Sequence, residues 1–228
     1  MNVTDRYRTT ADLPSAIPVF PLQGCILLPR ATLPLNVFEP RYLAMIDAAL
    51  SHDRIIGIVQ PAADAGRSES PAGKSVPLRA VGCAGRLTGF EEMPDGRMSI
   101  MVTGICRFSI ASEITTITPY RKVEAEFQRF AADLTTGAGE DEIDREQLLD
   151  ALRRYLAAKR LQADWKAIEE TGSELLINAL SLTSPYDPEE KQALLEAQTL
   201  RDRAKVLLAL SQMELAAGPG GEVQRRMQ

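Results

Sequence analysis

The periodicity of the apolar residues changes once along this chain, and that change constrains the fold more than any other feature. Between residues 17 and 130, apolar and β-branched residues come in short runs broken by Pro and Gly, the pattern of strands. After a stretch rich in Gly and Thr at 133–139, they recur every three or four positions, the pattern of amphipathic helices. A run of strands followed by a run of helices predicts an α+β fold, with the two kinds of element segregated along the chain. At 228 residues the chain is long enough for one large core or two joined ones. The expected division is an extension at 1–16, a β-rich subdomain at 17–130, a linker at 131–141, a helical subdomain at 142–217 and a tail at 218–228.

Strands are expected at 17–22, 33–37, 54–60, 78–91, 97–110 and 120–130. The two longest meet at Met93-Pro94-Asp95-Gly96-Arg97, where Pro presets the turn and Gly supplies a positive φ, so they form a hairpin. One helix interrupts the β region. Pro40 suits its first turn, and Tyr42, Leu43, Met45, Ile46, Ala49 and Leu50 form its apolar face. The segment 61–77 has no periodicity and reads as an exposed loop.

In the helical half, Ile143, Leu148, Leu149, Leu152, Tyr155 and Leu156 make one stripe, and Leu175, Leu176, Ala179, Leu180 and Leu182 make a second on a helix near 173–182. Asp187-Pro188-Glu189-Glu190 combines an N-cap, a first-turn Pro and a capping-box Glu, and Thr199 to Asp202 is a looser version. They start helices near 188–197 and 200–216, and Gly218-Pro219-Gly220-Gly221 ends regular structure.

The composition narrows the function classes. Three cysteines, Cys25, Cys83 and Cys106, cannot all pair and none lies in a C-x-x-C, which points to reduced structural thiols in a cytoplasmic protein. Residues 1–16 lack the apolar core of a signal peptide, and no apolar run approaches the roughly 20 residues that span a bilayer. Residues 1–130 hold 14 Lys and Arg against 13 Asp and Glu, and the remainder hold 12 against 18. Neither half has the basic excess that drives nucleic-acid binding.

Motifs with chemical potential fail their context tests. Gly73-Lys74-Ser75 resembles the end of a phosphate-binding loop, but position 68 is Ser where that loop needs Gly, and Pro77 precedes a strand where a helix is needed. His52, the only histidine, stands at the end of the Pro40 helix beside Asp53, a position that suits a helix C-cap. The acidic clusters at 91–92, 140–142 and 169–170 lack calcium-loop spacing and read as solvated faces and helix starts. Trp165 opens a short helix after Asp164 and reads as a core or interface anchor. No Ser occupies a G-x-S-x-G elbow. We therefore expect no catalytic residue, cofactor or metal.

The order Ile17-Pro18-Val19-Phe20-Pro21-Leu22, Leu28-Pro29 and Leu33-Pro34-Leu35-Asn36-Val37-Phe38-Glu39-Pro40-Arg41-Tyr42 resembles the opening of the Lon protease N-terminal domain family. The similarity extends through 55–60, 81–87, 102–108 and 190–196, covering 17 to about 215. It implies a PUA-like pseudo-barrel with one helix, followed by a helical bundle, and a module that binds polypeptide without the ATPase and Ser-Lys protease that follow it in full-length Lon. The implied partners are unfolded or flexible polypeptide and a separate protease or chaperone. RNA binding, which other PUA-like folds perform, and an unrecognised hydrolase are the alternatives. Phe38 is expected in the core. The candidate peptide contacts are the apolar segment Ile26, Leu27, Leu28 and Pro29, beside a sheet edge, and the corner residues Glu39, Arg41 and Tyr42, which also have a structural reading at the strand-to-helix turn.

Overall fold

The computed structural model describes residues 3–62, 76–159 and 162–217. The phosphate-loop resemblance at Lys74, most of the expected 61–77 loop and the tail from Gly218 lie outside those residues. Six strands form one sheet: β1 Ala16–Pro21, β2 Thr32–Val37, β3 Ile55–Val59, β4 Val81–Glu92, β5 Met98–Ile114 and β6 Lys122–Glu126. The order is β2-β5-β4-β3-β1-β6, and β5 also pairs with β6, so the sheet closes on itself. This is the pseudo-barrel.

Closure depends on the length of β5. Thr103 to Met98 pair with Thr32 to Val37 of β2, whereas Ser109 to Ile114 pair with Glu126 to Lys122 of β6. One strand therefore serves two partners along the same edge, and register shifts at Ala84/Gly85, Leu87/Gly89 and Ile110/Ser112 supply the bends. The predicted hairpin forms between β4 and β5, with Met93 N–H donating to the Arg97 carbonyl at 2.8 Å and Gly96 at φ 81°.

Helix α1, Pro40–Leu50, opens with Pro at its start and buries Tyr42, Met45, Ile46 and Ala49, as its pattern predicts. The Tyr42 ring lies 4.2 Å from that of Phe20 on β1. β6 is shorter than the expected strand at 120–130. From Gln128 to Leu134 the backbone coils into 3-10 turns, because Phe127 and Phe130 turn into the core and Asp133 follows them.

The remaining helices are α2 Arg145–Lys159, α3 Trp165–Glu170, α4 Ser173–Thr183, α5 Pro188–Glu196 and α6 Leu200–Ala217. Both predicted caps form. Asp187 N–H donates to Glu190 Oε2 at 3.0 Å while Glu190 N–H donates to Asp187 Oδ1 at 2.8 Å, and Asp202 N–H donates to Thr199 Oγ1 at 3.1 Å.

The chain divides into two compact units. One comprises the described residues up to Thr136 together with Ser184–Glu196, and the other comprises Gly137–Thr183 together with the described residues from Ala197. Helix α5 thus rejoins the strands, where the periodicity groups it with the other helices. Glutamines hold it there. Gln60 Nε2, at the end of β3, donates to the Pro188 carbonyl at 2.9 Å and to Gln192 Oε1 at 3.1 Å, and Gln192 Nε2 donates to the β4 carbonyl of Val81 at 3.2 Å. Gln60 Oε1 accepts from Gly24 N–H at 2.8 Å.

In the second unit, α2, α4 and α6 enclose Leu148, Leu152, Tyr155, Leu176, Ile177, Ala204 and Leu207. The expected stripe on α4 is rotated: Leu175 is exposed, and Glu174, Asn178 and Ser181 are buried with Leu176 and Ile177. Partners make this possible. Glu174 Oε2 accepts from Gly137 N–H at 3.0 Å, Asn178 Oδ1 accepts from Arg203 at 2.8 Å, and Ser181 Oγ donates to the Ile177 carbonyl at 2.8 Å. Trp165 is half-buried, with the Arg153 guanidinium 5.1 Å from its ring centre.

Candidate functional site

The apolar segment Ile26, Leu27, Leu28 and Pro29 lies inside the first unit, and all four residues are buried. They pack under the middle of β5: the Leu28 carbonyl and the Leu27 side chain crowd Gly104. In this conformation they offer core contacts and no surface.

Accessible apolar surface lies instead at the end of the β2–β5–β4 part of the sheet. Phe38 is 66% exposed, Phe90 52%, and Met93 and Met101 are also exposed. Val37 pairs with Met98, which pairs with Glu92, so Phe38 and Met93 follow residues of one cross-strand row. The next two rows inward are Asn36, Ser99 and Glu91, then Leu35, Ile100 and Phe90, and beyond these lie Pro34, Met101 and Gly89. Partners in a row face the same side. Phe90 therefore shares a side with Leu35, while Met101 occupies the other with Pro34. Strand β2 ends the sheet order, so it is an edge along this region.

Phe38 corrects the expectation of a core position. Val37 is buried at the last position of β2, and the residue after it turns outward before the chain enters α1. Glu39, the N-cap, has extended backbone and makes no side-chain cap. Its Oε2 instead accepts from Arg41 Nε at 2.9 Å and from Nη2 at 2.7 Å. The Arg41 guanidinium covers the Tyr42 ring at 4.5 Å, and burial raises the pKa of the Tyr42 hydroxyl. Tyr42 is thus an anchor, while Glu39 and Arg41 form a surface clasp over it.

Because both clasp side chains are about half exposed, water screens them. Glu39→Ala is expected to lower stability by no more than about 1 kcal/mol, read as a small shift of the urea midpoint without a change in slope.

The described cysteines and histidine have local explanations. Cys83 and Cys106 are buried in adjacent strands, and burial raises the Cys106 thiol well above its usual range while its Sγ–H faces the carbonyls of Arg107 and Phe130, each at 3.3 Å. Burial also raises Cys25, an effect that Lys191 on α5 opposes. His52 Nδ1 lies 2.8 Å from the Ala48 carbonyl, at the end of α1. Among the described residues, no group of three or more His, Cys, Asp or Glu could hold a metal ion, and no helix is long and apolar enough to cross a membrane.

The architecture is that of Lon N-terminal domains. A Lon N-terminal domain protein from Xanthomonas campestris superposes with a TM-score of 0.60 at 20% identity, covering 86% of this chain and 98% of that one. The N-terminal domain of Mycobacterium avium complex Lon protease gives 0.61 at 18% identity, with the same coverage. Residues 16–212 match the model of the ATP-dependent protease La (LON) substrate-binding domain, and the chain belongs to that family. Lon protease 2 of Myxococcus xanthus is 26% identical over 204 residues, covering 87% of this chain but 24% of the relative. Lon protease 2 of Thermus thermophilus is 26% identical over 231 residues, covering 95% and 26%. The chain spans about a quarter of the length of the curated relatives it matches.

Proposed function

We propose that this chain is a non-catalytic polypeptide-binding module whose contact surface is the apolar end of the β2–β5–β4 sheet, with the Glu39–Arg41–Tyr42 corner at its margin. The observation that carries the reading is the exposure of Phe38, just after the edge strand β2, and of Phe90 near the end of β4, in a chain of the substrate-binding family. Aromatic side chains held on a strand or just after its end supply apolar contact at little entropic cost, and an edge can add a strand of any sequence through its backbone. Such a surface suits unfolded or flexible chains, which would pass on to a separate protease or chaperone in protein quality control.

Ordering the ligand consumes much of the contact energy, so dissociation constants on the order of 1–100 μM are expected without nucleotide or metal. The test titrates a labelled unfolded polypeptide and its folded counterpart into the protein with EDTA present. Unfolded chain should bind and folded chain should not. Phe38→Ser with Phe90→Ser should weaken binding about tenfold or more while leaving the melting temperature nearly unchanged, since both rings are exposed. Equal binding of folded and unfolded forms, or undiminished binding by the double variant, would refute the assignment.

A further inference from the structure

The residues before β1 are not a loose extension. Among the described ones, Tyr7 and Leu13 are buried, and the segment packs against β5 and the 3-10 turns after β6. Together with the turn between α1 and β3 it forms a cleft of about 380 Å³, whose charged and titratable lining is Arg6, Tyr7, Asp12, His52, Asp53, Arg54 and Arg86. Residues 3–15 precede the matched family region, so half of this cleft is built from chain outside it.

We propose that this cleft binds a small, multiply charged oxyanion of the phosphate class. Three guanidiniums line it, and among the described residues none forms an ion pair with a carboxylate. Arg86 Nη1 is fixed on the wall by donating to the Tyr7 hydroxyl at 3.0 Å and the Asp53 carbonyl at 2.9 Å. Arg6 lies over the Tyr7 ring at 5.4 Å. Two carboxylates share the cleft with the three guanidiniums: Asp12 Oδ2 accepts from Arg8 N–H, Thr9 N–H and the Thr9 hydroxyl, and Asp53 meets Arg86 only through its backbone carbonyl, so the cations outnumber the anions by one. His52 Nδ1–H donates to the Ala48 carbonyl, which fixes the ring at the cleft wall, and the guanidiniums supply the donors for a ligand.

Arg54 is the most informative member. Its φ is 60°, a conformation that costs a residue carrying a Cβ and that glycine adopts freely. Two backbone bonds hold it so: Arg54 N–H donates to the Ala49 carbonyl at 2.9 Å, and Leu87 N–H donates to the Arg54 carbonyl at 2.8 Å. An arginine therefore occupies a glycine-like backbone position in the lining of a cleft with two further guanidiniums, and forked donors of this kind match the oxygens of a phosphate.

The site has no part in the proposed peptide contacts, so its test is independent of that reading. The full chain is titrated at low salt with inorganic phosphate and with pyrophosphate, followed by calorimetry and by the NMR signals of His52 and the arginine side chains. Pyrophosphate should saturate with a dissociation constant below about 1 mM and bind more tightly than phosphate, and added chloride should weaken both. Arg54→Gly removes the guanidinium without straining the backbone, and Arg6→Gln removes an exposed one. Each should weaken pyrophosphate at least about fivefold with the melting temperature maintained, and the double variant should not saturate. Wild-type protein that fails to saturate at roughly 20 mM pyrophosphate, or a folded double variant that binds as wild type does, overturns the proposal.

Discussion

Asp133→Ala is expected to lower the stability of the strand-containing unit by about 3–5 kcal/mol, among the largest single-residue effects in the molecule. Asp133 and Arg107 are both buried, with side-chain exposures of 9% and 3%. Asp133 Oδ2 accepts from Arg107 Nε at 2.8 Å and from the Arg107 N–H at 3.0 Å, and Oδ1 accepts from Nη2 at 2.7 Å. Arg107 Nη1 donates to the Leu195 carbonyl at the end of α5 at 3.1 Å, and Phe130 lies under the guanidinium at 4.4 Å. Deleting the carboxylate would leave a guanidinium inside the unit without its counter-charge. A urea titration should show the loss as a lower midpoint, and Asp133→Leu combined with Arg107→Met should recover much of it, since removing both charges leaves none stranded.

Gly104→Ala should cost about 3 kcal/mol or more. A Cβ there would stand 2.1 Å from the Leu28 carbonyl oxygen and 2.7 Å from its carbon, and both belong to backbone that cannot rotate away. The contact is tight because β5 and the 28–31 turn are bonded in both directions: Arg30 N–H donates to the Gly104 carbonyl at 2.8 Å, and Gly104 N–H donates to the Ala31 carbonyl at 2.9 Å. Thermal unfolding should shift by several degrees or more, whereas Gly89→Ala, whose Cβ would meet only Met101 side-chain atoms at 3.4 and 3.5 Å, should be nearly silent.

The separation of strands from helices, the Met93–Arg97 hairpin, the Pro40 helix and the caps at Asp187 and Thr199 were legible because each rests on residues within a few positions of one another. Barrel closure was not. Nothing local in β5 says that its two halves meet different strands, and only Gly104, where another backbone passes, marks the middle. The Arg107–Asp133 pair escaped notice because an arginine within a strand and an aspartate in a Gly- and Thr-rich stretch each read as exposed. Asn178 and Glu174 misled the reading of α4 for the same reason, since their partners come from distant residues.

At the candidate surface, hydrophobicity singled out side chains that lie in the core, and it placed Phe38 in the core where the structure exposes it. Ile26 to Pro29 are apolar because they fill the barrel, and Phe38 is exposed because its neighbour Val37 already occupies the inward position. An alternating pattern ends with its strand, so it says nothing about the next residue. The cleft at Arg54 depends on an unusual φ and on the folding back of the first residues, neither of which leaves a periodic trace.

The return of Ser184–Glu196 to the unit that holds the strands has a consequence for biosynthesis. A ribosome that has delivered β6 must still make residues 137 to 183 before the glutamine and carbonyl partners of Gln60 and Arg107 emerge, which at about 5–20 residues per second takes seconds. During that interval the nascent barrel carries polar groups awaiting their covering helix. Vectorial folding of this protein therefore pauses with its first unit incomplete until α5 has been made.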